Sequence, residues 1–345
     1  MYIGFFNHHT SYNKNKMLTD PSSPIGDNLM YPFVCVGEYL KDKGHKINTI
    51  DMDRLDKFDA VVFADFPGFR NKYFRKLLKS GLKNLYLIAY ESPIIKPDNL
   101  DINNHKYFKK IFTWSDDFID NNKYFKINYS HKIPKNLDFN TDEKKFLCTL
   151  ISSNKFTHNK NELYTERIKA IRWFEKEHPE DFDLYGKGWD RYYFFGDFLG
   201  IKLARLNRLK FITKILKRYY PSYRGQIQSK KETYKNYKFA ICYENAEGFS
   251  GYITEKIFDC FFSGCIPIYL GAPNINSHIP ADTFIDKRNF KTYGELYKYI
   301  KNMPEKKYNE YLQAIKKFLA SSKAYPFTAE YFAKTIGGEI TWKKR

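Results

Sequence analysis

No stretch of the 345-residue chain approaches the ~18 consecutive apolar residues of a membrane-spanning helix. The first residues, MYIGFFNHHT, lack a basic segment followed by an apolar core, so the expectation is a chain neither exported nor embedded in a bilayer. Cysteine is scarce and odd in number. Cys35, Cys148, Cys242, Cys260 and Cys265 are dispersed, mostly inside apolar runs, with no CxxC pair, which argues against a disulfide framework and for a reducing compartment. Zinc-type Cys/His spacing, the GxxxxGK[ST] phosphate loop, internal repeats and low-complexity blocks are all missing. Acidic residues are also in short supply: 39 Asp and Glu face 58 Lys and Arg, a formal charge of +19. That surplus suits nucleic acid, a phosphorylated substrate or an acidic membrane, and also arises without any partner in Lys-, Asn- and Tyr-rich chains.

What is present describes a folded protein. Hydrophobic residues make up 43% and aromatics 19%, ample for packed cores, and the length suits two domains of about 150 residues. Short apolar runs alternate with helical patterns in the first third: YIGFF (2–6), YPFVCVGEYLKDKG (31–44), HKINTID (45–51), DAVVFADF (59–66), NKYFRKLLKSG (71–81), KNLYLIAY (83–90) and KKIFTW (109–114). This βαβ rhythm predicts a parallel sheet covered by helices on both faces. HKIPKNLDFNTDEKK (131–145) turns polar, as a connection between domains would. The rhythm resumes with FLCTLIS (146–152), a helix over 161–176, FDLYG (182–186), KFAICYEN (238–245), TFIDKRNF (283–290) and helices from Tyr293 onward.

IKLARLNRLKFITKILKRYY (201–220) breaks the pattern with Lys202, Arg205, Arg208, Lys210, Lys214, Lys217 and Arg218 and no acid. It fits a basic amphipathic helix lying on an anionic membrane, or a solvated helix packed by its Leu and Ile side chains.

ENAEGFSGYITEKIFDCFFSGCIPIYLG (244–271) sets a buried strand before a helix that starts near Thr254, a predicted N-cap, and stops at Gly264, followed by another strand. The crossover puts the helix start at the carboxyl edge of a sheet, where open α/β folds bind ligands. Lys256 in that first turn opposes the helix dipole at a cost of about 0.3–1 kcal/mol, a cost removed if an anion binds there. Glu255 beside it is also consistent with an ordinary first-turn acid. Gly248 and Gly251 would let backbone approach a ligand.

YKFAICYEN…GYITEKIFDCFFSGCIPIYLGAPNI (237–275) resembles the donor-binding signature of the α-1,3-fucosyltransferases that use GDP-fucose. ISSNK (151–155), ELYTERIKAI (162–171) and FDLYGKGW (182–189) resemble the same family, and the first third is matched at YESP (90–93). The resemblance implies an α/β fold of two Rossmann-like domains facing a cleft, the GT-B arrangement. Residues 1–140 would form the acceptor-binding domain, 141–325 the GDP-fucose-binding domain and 326–345 a tail helix. It implies a diphosphate contact from Arg167, with Arg172 as rival, phosphate contacts from Asn245, Tyr252 and Lys256, and a sugar or ribose contact from Glu255. The implied reaction is inverting transfer of L-fucose from GDP-fucose to an N-acetyllactosamine-like glycan, α-1,3 linked, with no metal or other cofactor. Another nucleotide sugar is the alternative donor. The aromatics sit inside apolar runs rather than on an exposed platform, so nucleic acid is not an expected partner.

Departure of a diphosphate develops negative charge that fixed cations stabilise, and an inverting displacement needs one base for the attacking hydroxyl. Glu91 is the candidate base, because it ends KNLYLIAY at the carboxyl edge of the first sheet and lies within YESP. Asp116 and Asp117 are rival carboxylates. Asp51-Met52-Asp53 has the form of a metal-binding DxD but falls in the expected acceptor domain, and His8-His9 reads as a polar loop with a cleft-lining role as the alternative. The expected location is cytoplasmic, at the inner face of the membrane if 201–220 binds lipid.

Overall fold

A computed structural model describes residues 1–22, 28–134, 136–137, 139, 144–192, 194, 197–198, 201–216 and 219–341. The expected domain boundary at 140/141 and the last residues of the expected tail helix, 342–345, lie outside them.

The first half comprises β1 (Tyr2–Phe6), α1 (Lys16–Thr19), α2 (Tyr31–Asp42), β2 (Lys46–Thr49), β3 (Ala60–Ala64), α3 (Lys72–Ser80), β4 (Leu85–Ala89), α4 (Ile102–His105), β5 (Lys110–Thr113) and β6 (Tyr124–Lys126). Its strands form one parallel sheet in the order β2-β1-β3-β4-β5-β6. β1, β3, β4 and β5 are buried along their whole length, which is why they read as continuous apolar runs rather than alternating ones. α3 shows how the sequence sets its own ends: Asn71 accepts from the backbone of Tyr73 and Phe74, and Gly81 closes the helix at φ +76°.

The second half comprises β7 (Phe146–Ile151), α5 (Tyr164–Glu177), β8 (Phe182–Tyr185), the β9–β10 hairpin (Asp197–Phe198, Ile201–Lys202), α6 (Lys210–Ile215), β11 (Tyr223–Gly225), α7 (Lys230–Tyr234), β12 (Tyr237–Tyr243), α8 (Glu255–Phe261), β13 (Ile266–Leu270), β14 (Ile285–Asp286), α9 (Tyr293–Lys301) and α10 (Glu305–Leu319). Its main sheet is parallel in the order β11-β8-β7-β12-β13-β14, which in chain order is the 3-2-1-4-5-6 arrangement of dinucleotide-binding sheets. The single amphipathic helix expected over 201–220 does not form. That stretch is divided among β10, a 3-10 turn (Leu203–Arg208) and the short α6. Among the described residues no helix is long and apolar enough to cross a membrane.

The chain then returns to the first half. α11 (Ala329–Thr341) inserts Phe332, Ala333, Ile336 and Ile340 into the core that α2 forms over the first sheet. Phe332 meets Phe33 edge-on at 5.4 Å, and Gly337 lies where any side chain would strike the Tyr39 ring. Lys110 on β5 binds Glu339 at 2.6 Å. The last helix therefore completes the N-terminal layer rather than trailing from the C-terminal one.

Phe332 is fully buried, so Phe332→Ala should cost about 3–5 kcal/mol in urea unfolding followed by a probe in the first half. A loss below about 1 kcal/mol would show that α11 is not part of that core.

Candidate active site

Both sheets reverse strand order once, between β1 and β3 in the first and between β7 and β12 in the second. Ligands in open α/β folds bind at the carboxyl ends flanking such a reversal. One cavity of about 480 Å³ takes its walls from all four strand ends: Asn7, His8 and His9 after β1, Ala64 and Asp65 at the end of β3, Lys155 after β7, and Asn245 after β12. Glu91, Tyr252, Glu255 and Lys256 line the same cavity, so five of the six site residues expected from sequence converge there.

On the first wall, Asp65 adopts a left-handed backbone (φ +64°), which a short polar side chain tolerates. Its Oδ1 accepts from the backbone N–H of Tyr90 and of Glu91, both at 2.9 Å, and from Asn99 Nδ2 at 2.7 Å. Asn99 also donates to Glu91 O, while Trp114 Nε1 and Tyr129 OH donate to Tyr90 O. The backbone carrying Glu91 is thus fixed from several directions. Burial, with the charges of Asp65 and Glu255, pushes the Glu91 carboxyl up to about 7 against the opposing pull of Lys155 and Lys256. That value suits a general base at neutral pH.

On the second wall, Glu244 at the end of β12 is wholly buried. It accepts from Thr254 N at 2.8 Å, Thr254 Oγ1 at 2.7 Å and Lys256 Nζ at 3.0 Å. This corrects two expectations. Thr254 does occupy the N-cap position of α8, but its hydroxyl donates to Glu244 instead of accepting from the helix backbone. Lys256 needs no bound anion to be stable in the first turn, because Glu244 and Glu255 outweigh its burial and keep it charged. Burial would raise the Glu255 carboxyl, yet Lys256 and Lys230 hold it down at about 2. Lys230 lies 2.7 Å from Asp259 and 3.7 Å from Glu255.

Arg167 is the sixth expected residue, and the structure places it behind the cavity wall. It is 4% exposed and donates to the carbonyls of Tyr243 and Glu244 and to Asn245 Oδ1. Its position orients Asn245. Arg172, its rival, binds Glu175 and the carbonyl of Tyr219.

Lys155, Glu244, Asp65 and Lys230 were not singled out from the sequence. The available signal was positional for three of them, since each follows a strand flanking an order reversal. His8 and His9 do line the cavity, contrary to the polar-loop reading, and burial lowers the His8 imidazole below its ordinary value. Asp51 accepts from Lys14 N and Asp53 pairs with Lys57, and neither lines the cavity. Among the described residues no cluster of three or more His, Cys, Asp or Glu is disposed to hold a metal ion.

Asp116 is tied between the two halves. It binds Lys126 of its own half at 2.6 Å, and His278 Nε2 and Asn274 Nδ2 of the other at 2.7 and 2.8 Å. Despite partial burial, these partners hold its carboxyl well below the usual range, which removes it as a base. Gly251, at φ +81°, has no space for a side chain because Lys126 Nζ and Asp116 Oδ2 lie 2.7 and 2.8 Å from where a Cβ would stand. Its bare backbone admits the first half rather than a ligand. Trp114, Tyr129 and Tyr252 pack beside it as a small aromatic cluster bridging the halves.

Residues 203–333 match the family model for the glycosyltransferase family 10 (fucosyltransferase) C-terminal domain. An alpha-(1,3)-fucosyltransferase, FucT, of Helicobacter pylori is 39% identical over 89 residues, 26% of this chain and 18% of the relative. An alpha-(1,4)-fucosyltransferase of Arabidopsis thaliana is 37% identical over 78 residues, 22% of this chain and 19% of the relative. The matched stretches thus span under a fifth of these relatives' lengths. In fold, a crystal structure of an alpha1,3-fucosyltransferase aligns with a TM-score of 0.57 at 16% identity, covering 100% of this chain and 91% of that one. A DNA-modifying beta-glucosyltransferase aligns with a TM-score of 0.52 at 10% identity, covering 99% and 100%. The chain has the GT-B fold, two parallel-sheet α/β halves, and resembles α-1,3-fucosyltransferases in sequence within its second half.

The bridge between the halves is open to a direct test. In a double-mutant cycle, Asp116→Ala and His278→Ala should couple by about 1–2 kcal/mol in unfolding free energy at neutral pH. Additive effects of the two substitutions would remove this pair from the forces holding the halves together.

Proposed function

We propose that this chain is an inverting fucosyltransferase that moves L-fucose from GDP-fucose to a hydroxyl of an N-acetylglucosamine-containing glycan, with α-1,3 linkage. The observation that carries this reading is the opposition of Glu91, poised near neutral pH, to the Asn245, Lys256 and Lys155 side of one cavity. The sequence match across residues 203–333, which contains Asn245, Tyr252, Glu255 and Lys256, supports the choice of fucose.

In the proposed reaction Glu91 takes the proton of the acceptor hydroxyl as its oxygen attacks fucose C1. The bond from C1 to the diphosphate breaks on the opposite side, and GDP leaves with the electron pair. Side-chain cations meet that charge. Lys155 and Lys256 line the cavity, and the buried Arg167 lies within electrostatic reach of both. Tyr252 is fully buried and stays protonated, so its hydroxyl remains a donor. Because the protein supplies these charges, the proposal assigns no role to a metal. Five free thiols, four of them buried, support a cytoplasmic location.

Incubation with GDP-fucose, GDP-mannose and UDP-sugars over a panel of glycan acceptors should give GDP release from GDP-fucose alone; turnover with a different donor would replace fucose in this reading. Glu91→Gln should lower kcat by about 10²–10⁴-fold while GDP still binds in calorimetry, and near-normal turnover would free Glu91 of the base role. The base must be ionised, so kcat/KM should fall as pH drops through about 7. Lys155 holds the Glu91 carboxyl down, so Lys155→Met should move this acid limb to higher pH. A limb that stays in place would show that Lys155 does not act on Glu91.

A further inference from the structure

We propose that the excursion between β8 and β11 is a docking surface for an anionic phospholipid bilayer. Fifteen large hydrophobic side chains are exposed among the described residues, and six of them fall in this one stretch: Leu209, Phe211, Ile212, Ile215, Leu216 and Tyr219. Phe211 is 76% exposed, Tyr219 73% and Ile215 64%. Isolated exposed hydrophobics are ordinary, but a contiguous group marks an interaction surface.

The group is ordered by the helix it sits on. At about 100° per residue, Phe211, Ile215, Ile212 and Leu216 occupy one continuous arc of α6 about 140° wide. Lys214 stands about 60° beyond the Phe211 edge of that arc and Lys210 about 100° beyond it, both exposed, and exposed Arg208 precedes them. Thr213 faces the other way, 1% exposed, and its carbonyl accepts from Tyr192 N. The far end of the stretch is fastened as well: Tyr220 is buried, packs edge-on against Trp189 at 5.0 Å and lies under the Arg172 guanidinium at 3.9 Å. The inward residues therefore hold the segment to the protein while the apolar arc is left facing water.

Charge identifies the occupant. Residues 201–220 contain no acid, and Asp190, the carboxylate that acts on Lys214, is itself bound to Arg191. A protein partner could cover the apolar arc, but Lys214 flanking it, with exposed Arg208 and Lys210 on the same short segment, matches the interface of a bilayer with anionic headgroups, where each cation adds to binding. The hairpin β9–β10 and α6 follow β8 and precede β11, the edge strand of the second sheet, so the surface stands at the margin of the fold and leaves the strand-end cavity unobstructed.

The test is flotation of the full chain with vesicles of phosphatidylcholine alone and of phosphatidylcholine mixed with phosphatidylglycerol, with no donor or glycan present. That design makes the outcome independent of the proposed reaction. Comigration with the anionic vesicles, weakened by added salt, is expected. The pairs Phe211→Asn with Ile215→Asn, and Lys210→Glu with Lys214→Glu, should each reduce the bound fraction about tenfold while the thermal midpoint stays unchanged. Equal flotation with neutral vesicles, or full retention of binding by either double variant, would overturn the proposal. So would an absence of flotation with the anionic vesicles, and self-association in sedimentation velocity that the Phe211/Ile215 variant abolishes would then assign the face to a second copy of the chain.

Discussion

Each half of this molecule is organised by a carboxylate at the carboxyl end of a strand beside the order reversal. Asp65 follows β3 and Glu244 follows β12, and each accepts three hydrogen bonds from the loop or helix start above its sheet. Glu244 is wholly buried and Asp65 partly so; a carboxylate withdrawn from water is tolerated only when its oxygens are satisfied, and for the buried one losing a partner costs several kcal/mol. The loops are consequently pinned at their bases, and their tips are aimed into the space between the sheets. Glu91 is placed by the first clasp and Lys256 by the second. Two structural acids thus set where the proposed base and its facing cation stand.

The same logic separates two glutamates that the sequence cannot tell apart. Glu91 and Glu255 line one cavity, yet the first is raised to about 7 and the second lowered to about 2. Both suffer burial, so desolvation does not distinguish them. Neighbours do. Glu91 stands near Asp65 and Glu255, two like charges, whereas Glu255 stands beside Lys256 and Lys230. The first depends on the second, because the permanent charge of Glu255 is part of what keeps Glu91 protonatable near neutrality. Pairs of titratable groups pushed apart in this way are the usual mark of an acid-base role for one member.

Much of the fold was legible because the strands are buried on both faces. YIGFF, DAVVFADF and KNLYLIAY read as strands from composition alone, and the structure places β1, β3 and β4 within those limits. Five residues that line the cavity were singled out through the resemblance at 237–275 and 90–93. The remainder depended on contacts far apart in sequence, which no local pattern encodes. Lys256 is explained by Glu244, 12 residues away, and Gly251 by Trp114, Lys126 and Asp116 in the other half. Arg167 illustrates the same limit from the opposite side: the motif identified the residue, but only the fold shows its guanidinium spent on two carbonyls and Asn245. The basic stretch 201–220 misled by its periodicity, since cations and leucines at helical spacing do not specify a continuous helix when inward anchors such as Thr213 and Tyr220 fix the path.

The formal charge of +19 is distributed over two kinds of setting, the cavity wall and the exposed surface. Lys256 on the cavity wall is paired with the buried Glu244 behind it, and Lys230 with Asp259, so two of the lining cations are held in ion pairs at close range. Such pairs are partly buried and weakly screened, and their effect is local, on individual protonation states. Other cations stand in water with no acid beside them in sequence, as Arg208, Lys210 and Lys214 do. Exposed charges of that kind act across water and are screened within about 8 Å at physiological ionic strength, so they can attract an extended anionic surface but cannot set the geometry of a reaction. Composition reported the second kind of electrostatics, and the chemistry proposed here depends on the first.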